Sequence, residues 1–152
     1  MIDDHERYQG VVLRQIVAAA ATPVSVRPFR THGRISSFVL NGTVGVFVKH
    51  STKRMPPWPF TFHADQISDL RELEKADLKS YVSLVCGFDG VVTLPVEDLH
   101  QIAGIDDARQ AWVRIHRPPR SMYSVWGNRA ELARKVRQGV TPIAAAIALG
   151  RQ

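Results

Sequence analysis

The hydrophobic pattern of the first half of the chain changes its period several times, and each change marks a predicted element. Apolar residues at helical spacing predict an amphipathic helix over residues 3–21, which a Thr-Pro pair ends. Runs rich in β-branched and aromatic residues then predict strands over residues 24–29, 34–40 and 44–49.

The connections between these elements carry turn signals of their own. Asn41-Gly42 separates two of the strands and indicates a hairpin, because both residues tolerate positive φ. Three prolines between positions 56 and 59 exclude regular structure from residues 50–59, since they remove backbone donors. A brief strand is expected at residues 60–62.

The pattern becomes helical again and then continuously apolar. Ile67, Leu70 and Leu73 lie three residues apart with charges between them, which predicts a helix over residues 65–76. Residues 81–86 form an apolar run with only Ser83 inside it, which is typical of a central strand covered on both faces. The elements expected after it are a strand, a helix, two strands, a basic helix and a last short helix, over residues 91–94, 95–103, 111–116, 122–126, 129–137 and 143–149.

Without the brief strand at residues 60–62, and with the last two helices taken together, these elements run in the order α-β-β-β-α-β-β-α-β-β-α. We therefore predict a single α+β domain over residues 1–152, with a mixed β-sheet and flanking helices. No apolar run reaches the roughly 18 residues that span a bilayer, and the N-terminus is acidic, unlike a secretory signal. We expect a cytoplasmic protein without a membrane partner, in which the single cysteine, Cys86, is a buried apolar residue.

Charge is distributed unevenly along the chain. Residues 7–64 contain eight Lys and Arg and no Asp or Glu, whereas the rest holds 12 cations and 14 anions. The formal net charge of +6 therefore comes entirely from the N-terminal part. Such a surplus predicts an anionic partner, and it also deprives this part of the carboxylates that bind Mg²⁺.

A segment that follows the third strand combines cations, hydroxyl groups and aromatic rings, as binding of a phosphodiester with stackable bases requires. Its candidate nucleic-acid-binding residues are Lys49, His50, Ser51, Thr52, Lys53, Arg54 and Trp58. Phe60 and Phe62 follow. The alternative is that the three aromatic rings pack on the core while the cations are simply solvated.

A second basic cluster contributes Arg114, Arg117 and Arg120 as nucleic-acid-binding candidates. If residues 111–116 form a strand, Arg114 and His116 share one of its faces. Two prolines hold Arg117 and Arg120 in a fixed relation, which suits phosphate contacts. Equally, the cluster could be an exposed sheet face whose charges discourage edge pairing.

Sequence motifs for catalysis and metal binding are absent. The six histidines show no paired metal spacing, and neither a nucleophile elbow nor a glycine-rich phosphate loop occurs. We therefore expect no metal site and no cofactor.

The run Val46-Phe47-Val48-Lys49-His50-Ser51-Thr52, with the element order before residue 86, resembles the third core strand of restriction-endonuclease-like nucleases, the PD-(D/E)xK group. The resemblance implies a nuclease-like core over about residues 3–86, followed by a C-terminal hairpin and helices over about 87–152. Lys49 stands at the lysine position of the motif. Phe47 stands where the group has a carboxylate, and the preceding strand offers only Asn41. The resemblance therefore implies a degenerate copy, since Asn and Phe cannot replace two anions.

The stretch 50–62, together with residues 122–125, also resembles segments of small uncharacterised bacterial proteins. That second resemblance implies no activity.

Three functions stay open. The first is a non-catalytic nucleic-acid-binding protein that contacts phosphates through segments 49–62 and 114–120. The second is a nuclease with relocated carboxylates, which would use Lys49 and Mg²⁺. The third is a protein-interaction subunit of a defence or mobile-element system, or a homodimer, with Trp58 and Trp126 as exposed anchors.

Overall fold

The computed structural model describes residues 1–29, 33–105 and 111–150. Its helices and strands, in chain order, are α1 (Asp4–Ala19), β1 (Val26–Phe29), β2 (Ser37–Leu40), β3 (Val44–Ser51), β4 (Trp58–Phe62), α2 (Ala64–Lys75), β5 (Lys79–Cys86), β6 (Gly90–Pro95), α3 (Val96–Ala103), β7 (Ala111–His116), β8 (Ser124–Gly127) and α4 (Thr141–Leu149). Within these ranges no helix is both long and apolar enough to cross a membrane.

Five strands form a mixed sheet in the order β1-β2-β3-β5-β6. β3 and β5 pair in parallel and the other neighbours pair antiparallel. The hairpin predicted at Asn41-Gly42 joins β2 to β3, and both residues have positive φ. The central position predicted for residues 81–86 is confirmed, because β5 lies between β3 and β6 and is buried from Ser80 onward. A single α+β domain with a mixed sheet is therefore confirmed.

The other three strands form a second sheet in the order β4-β7-β8, where one sheet was expected. The prediction that residues 50–59 lack regular structure was wrong at both ends, since β3 continues to Ser51 and β4 begins at Trp58. Pro59 is tolerated because β4 is an edge strand, where a missing backbone donor costs no ladder hydrogen bond.

The two faces of the five-stranded sheet pack against different elements. On one face, Phe47, Val82 and Leu84 join a core that includes the inward residues of the second sheet and of α2 and α3. On the other face, Val46, Tyr81 and Val85 join a core formed with α1 and α4. Cys86 is fully buried in the first core, as predicted, and burial raises the pKa of its thiol.

The basic helix predicted over residues 129–137 does not form. This segment is irregular, with bends at 129 and 133–134, and Glu131 and Val136 make isolated bridges to Trp126 and Tyr123 in the hairpin that precedes them. Leu132 and Val136 are four residues apart, a spacing that would place them on one face of a helix. Both are instead buried in the core that includes the second sheet. The last helix forms as predicted and has Pro142 in its first turn.

Candidate nucleic-acid interface

The two basic segments predicted from the sequence converge at one end of the molecule. Residues 52–57 lead into Trp58, which pairs with Ile115 near the end of β7, and residues 117–123 follow that strand. The Trp58 and Tyr123 rings lie 6.2 Å apart in an edge-to-face arrangement. The turn between β5 and β6 lies beside them, because a Cβ atom on Gly87 would come within 2.4 Å of the Lys53 carbonyl oxygen. We call residues 52–57, 87–89 and 117–123 the basic end.

The buried Trp58 side chain anchors the loop 52–57. Its indole Nε1 donates to the Lys53 carbonyl at 3.0 Å, and its side chain is only 2% exposed. The prediction of a free ring for stacking is therefore wrong for Trp58, which packs in the core as in the alternative interpretation. Ser51 is also buried, and its hydroxyl accepts from the Lys53 backbone N–H.

Thr52, Lys53 and Arg54 are exposed on this loop. The Lys53 ammonium donates to the Pro57 carbonyl at 3.0 Å, an interaction that leaves its charge uncompensated. Arg120 is exposed as well, at the tip of the hairpin, with a φ of 63°. Within the described ranges, neither Arg54 nor Arg120 has a carboxylate partner. The basic end therefore presents uncompensated positive charge on constrained loops.

Arg117 differs from these residues because it is already paired. Its Nε lies 2.7 Å from Asp89 Oδ2, and its guanidinium lies 4.4 Å from the centre of the Tyr123 ring. The Tyr123 hydroxyl donates to the same carboxylate at 2.5 Å. Burial of the tyrosine, together with this carboxylate, raises the pKa of Tyr123. Arg117 thus fixes the hairpin to the β5–β6 turn, and Asp89 offsets its charge.

Lys49 and His50 point to opposite faces of β3. The Lys49 ammonium lies 3.2 Å from Gln66 Oε1 and 5.5 Å from the centre of the Phe62 ring. Burial lowers its pKa, while the nearby Asp65 carboxylate opposes that shift. Phe62 is at the far end of β4 from Trp58, so Lys49 lies away from the basic end.

The His50 ring stacks on Tyr8 of α1, with their centroids 4.5 Å apart. Burial and the neighbouring His5 lower the pKa of His50. The predicted segment is therefore divided in the structure, because its cations lie in three separate places. Alternation along a strand is the physical cause, since successive side chains point to opposite faces.

Two of the positions that resemble the nuclease motif, Asn41 and Lys49, are also apart. Asn41 lies in the β2–β3 turn, where its Oδ1 accepts from the Ser25 backbone N–H at 2.7 Å. Lys49 lies roughly 15 Å further along β3, given the rise of a strand. Among the residues that the structure describes, no three His, Cys, Asp or Glu side chains are grouped so that they could hold a metal ion.

The outward face of the second sheet carries a set of aromatic and basic side chains. Trp112, Arg114 and His116 alternate with buried residues along β7, as predicted for Arg114 and His116. The Arg114 guanidinium lies 4.8 Å from the centre of the Trp112 ring. Arg114 pairs across the sheet with Trp126. Trp112 is not among the residues predicted from the sequence, although the alternating pattern of residues 111–116 places it on the same face as Arg114.

A cleft of about 400 Å³ separates α1 from the β5–β6 turn and adjoins the basic end. Tyr8, Val11 and Phe88 give it a mostly apolar lining, and Asp4 and Arg7 form an ion pair at its side. No sequence signal indicated this cleft, because its walls come from distant parts of the chain.

No protein-family model matches the chain, and no curated protein matches it. Among solved structures, the chain is similar to the Holliday junction resolvase Hjc from the archaeal hyperthermophile Archaeoglobus fulgidus. The two share 13% sequence identity with a TM-score of 0.49, over 94% of this chain and 97% of the resolvase chain.

Proposed function

We propose that the protein binds nucleic acid through phosphate contacts at the basic end. The observation that supports this most is the exposure of Arg54 and Arg120, without carboxylate partners in the described ranges, on two constrained loops at the same end. Lys53 adds a third cation on the first of these loops, and among the described residues it too has no carboxylate partner. Guanidinium groups in fixed positions suit phosphate oxygens, because each can donate two parallel hydrogen bonds.

The distribution of the remaining charge supports the same surface. Arg7 and Arg34 belong to the acid-free part of the sequence, but they pair with Asp4 and Asp3 at the N-terminus. Part of the N-terminal surplus is therefore neutralised within the fold. The loop 52–57 retains its surplus.

We infer that the protein binds without cleaving. Lys49 is half-buried, lies away from the basic end, and interacts with an amide and a ring rather than with a pair of carboxylates. A nuclease metal needs anionic ligands close together. A protein-interaction function loses one of its two predicted anchors, because Trp58 is buried.

The test measures binding to duplex and single-stranded DNA at two salt concentrations. The double variant Arg54→Ala/Arg120→Ala should weaken binding at low salt by about a hundredfold or more, since charge-assisted hydrogen bonds contribute about 1.5 kcal/mol or more each. The matched control is Arg14→Ala/Arg27→Ala, which removes two exposed arginines from α1 and β1. This control should retain most of the wild-type affinity.

Two results would overturn the proposal. One is the absence of binding by the wild-type protein at low salt. The other is an equal loss of affinity in the two double variants, which would mean that only net charge matters.

A further inference from the structure

The outward face of the second sheet is a second candidate binding surface, distinct from the loops of the basic end. We propose that it binds single-stranded nucleic acid by stacking unpaired bases on Trp112 and Trp126, with Arg114 between them. The inference rests on the proposed function, because the phosphates of the same strand would lie along the basic end. It adds to that function a preference for single-stranded nucleic acid.

The geometry of the face suits successive bases. Arg114 pairs with Pro59 on one side and with Trp126 on the other, so the three residues form a row across the sheet. Trp112 lies two residues before Arg114 on β7. Trp112 and Trp126 are therefore diagonal neighbours, roughly 7–8 Å apart at their backbones. Both indoles are partly exposed, and each belongs to a strand of the paired β7–β8 hairpin.

The charge of the face fits an anionic ligand. The outward residues of the three strands contain no carboxylate; they are Pro59, Thr61, Trp112, Arg114, His116, Ser124 and Trp126. Lys135 adds a cation, since its ammonium lies 2.5 Å from the Ser124 hydroxyl. The adjoining segment contributes the exposed Glu131. A ligand with negative charge and flat apolar groups complements this surface, because base stacking on aromatic side chains stabilises such complexes.

The face continues directly into the basic end. Pro59 follows Trp58 at the base of the loop 52–57, and His116 precedes Arg117 at the base of the hairpin. A strand whose bases lie on the sheet can therefore place its phosphates beside Lys53 and Arg54. A duplex keeps its bases paired and stacked inside, so it can use the basic end but not the two indoles. A second copy of this chain would bring the same cations against Arg114, which disfavours a symmetric dimer through this face.

The experiment compares an unstructured oligothymidine with a duplex of the same length. Trp126→Leu should weaken oligothymidine binding roughly 5- to 100-fold, the range for loss of one stacked base, and should leave duplex affinity unchanged. Trp126→Phe should restore most of the affinity because it keeps an aromatic face. Arg114→Gln should also weaken oligothymidine binding, whereas Arg14→Gln on α1 should not. Circular dichroism establishes that each variant is folded, and Arg114→Gln provides the test if Trp126→Leu does not fold.

The outcomes separate this inference from the proposed function. If the wild-type protein binds both nucleic acids, and both Trp126→Leu and Arg114→Gln bind oligothymidine as wild type does, the stacking surface is wrong and the basic end stands. If the wild-type protein binds neither nucleic acid, both proposals are wrong. If the wild-type protein sediments as a dimer that Trp126→Leu dissociates without change in oligothymidine affinity, the face is a protein interface and the inference is overturned.

Discussion

The loop 52–57 and the hairpin 117–123 carry arginines at the same end of the molecule, but a buried aromatic residue holds each in a different way. Trp58 donates a neutral hydrogen bond to the Lys53 carbonyl. Tyr123 bonds to Asp89, which in turn pairs with Arg117. The loop therefore does not use its one arginine, Arg54, to stabilise the fold, whereas the hairpin uses one of its two.

This difference shows why a count of cations overestimates the positive charge that a surface offers to a ligand. Arg117 and Arg120 are three residues apart in the sequence and look equivalent there. In the structure only Arg120 retains an uncompensated charge within the described ranges. The partner of each cation, rather than its presence, decides whether it is available to a ligand.

Among the variants that test this comparison, Trp58→Ala should have the largest effect, because it removes the side chain that anchors the loop 52–57. The ring is buried, so we expect the free energy of unfolding to fall by about 3–5 kcal/mol. Urea unfolding measures this loss. Met55→Ala is the control, since Met55 is exposed in the same loop, and it should cost less than about 0.5 kcal/mol. Equal costs for the two variants would contradict the anchoring role.

The stability that Tyr123 gives to the hairpin should depend on pH in the alkaline range. Trp58, which anchors the loop 52–57, has no titratable group. The folded protein raises the pKa of Tyr123 above its unfolded value of about 10, so the unfolded chain loses this proton first. The contribution of Tyr123 to stability should therefore be full below pH 10 and fall above it, by at most about 1.4 kcal/mol per pH unit. Tyr123→Phe should make the fall shallower. If the free energy of unfolding falls as steeply with pH in Tyr123→Phe as in the wild type, Tyr123 does not cause the alkaline fall.

Lys49→Ala should have the smallest effect on nucleic-acid binding, because Lys49 lies beside Gln66 and Phe62 rather than at the basic end. We expect its affinity for DNA to match that of the wild type. Incubation with DNA and Mg²⁺ or Mn²⁺ should give no cleavage by either protein. Cleavage by the wild type that a chelator stops and Lys49→Ala abolishes would instead support the nuclease alternative.

Local chemistry made much of the fold predictable. The Asn41-Gly42 hairpin, the apolar run of β5 and the helical spacing of α2 are all signals within a few residues. The second sheet was not predictable in this way, because β4 pairs with β7, which lies some fifty positions later in the chain. The segment 129–137 shows the same limit, since its irregular form includes bridges to residues 123 and 126.

The candidate site was predicted only in part. Arg54 and Arg120 lie at the surface, as their charge suggests. Trp58 was misplaced because composition does not distinguish a ring that stacks on a ligand from one that packs in the core. The separation of Lys49 from His50 depends on which face of β3 each residue occupies, and the packing of α1 and β4 decides that. The resemblance to restriction-endonuclease-like nucleases stays a prediction.

The salt dependence of DNA binding tests the central claim most directly. Each phosphate contact adds about 0.9 to the magnitude of the slope of log affinity against log salt concentration for duplex DNA. With phosphate contacts at the basic end, we expect a steep slope for the wild type and one shallower by about 2 for Arg54→Ala/Arg120→Ala. A wild-type affinity indifferent to salt, or the same slope in both proteins, would contradict it.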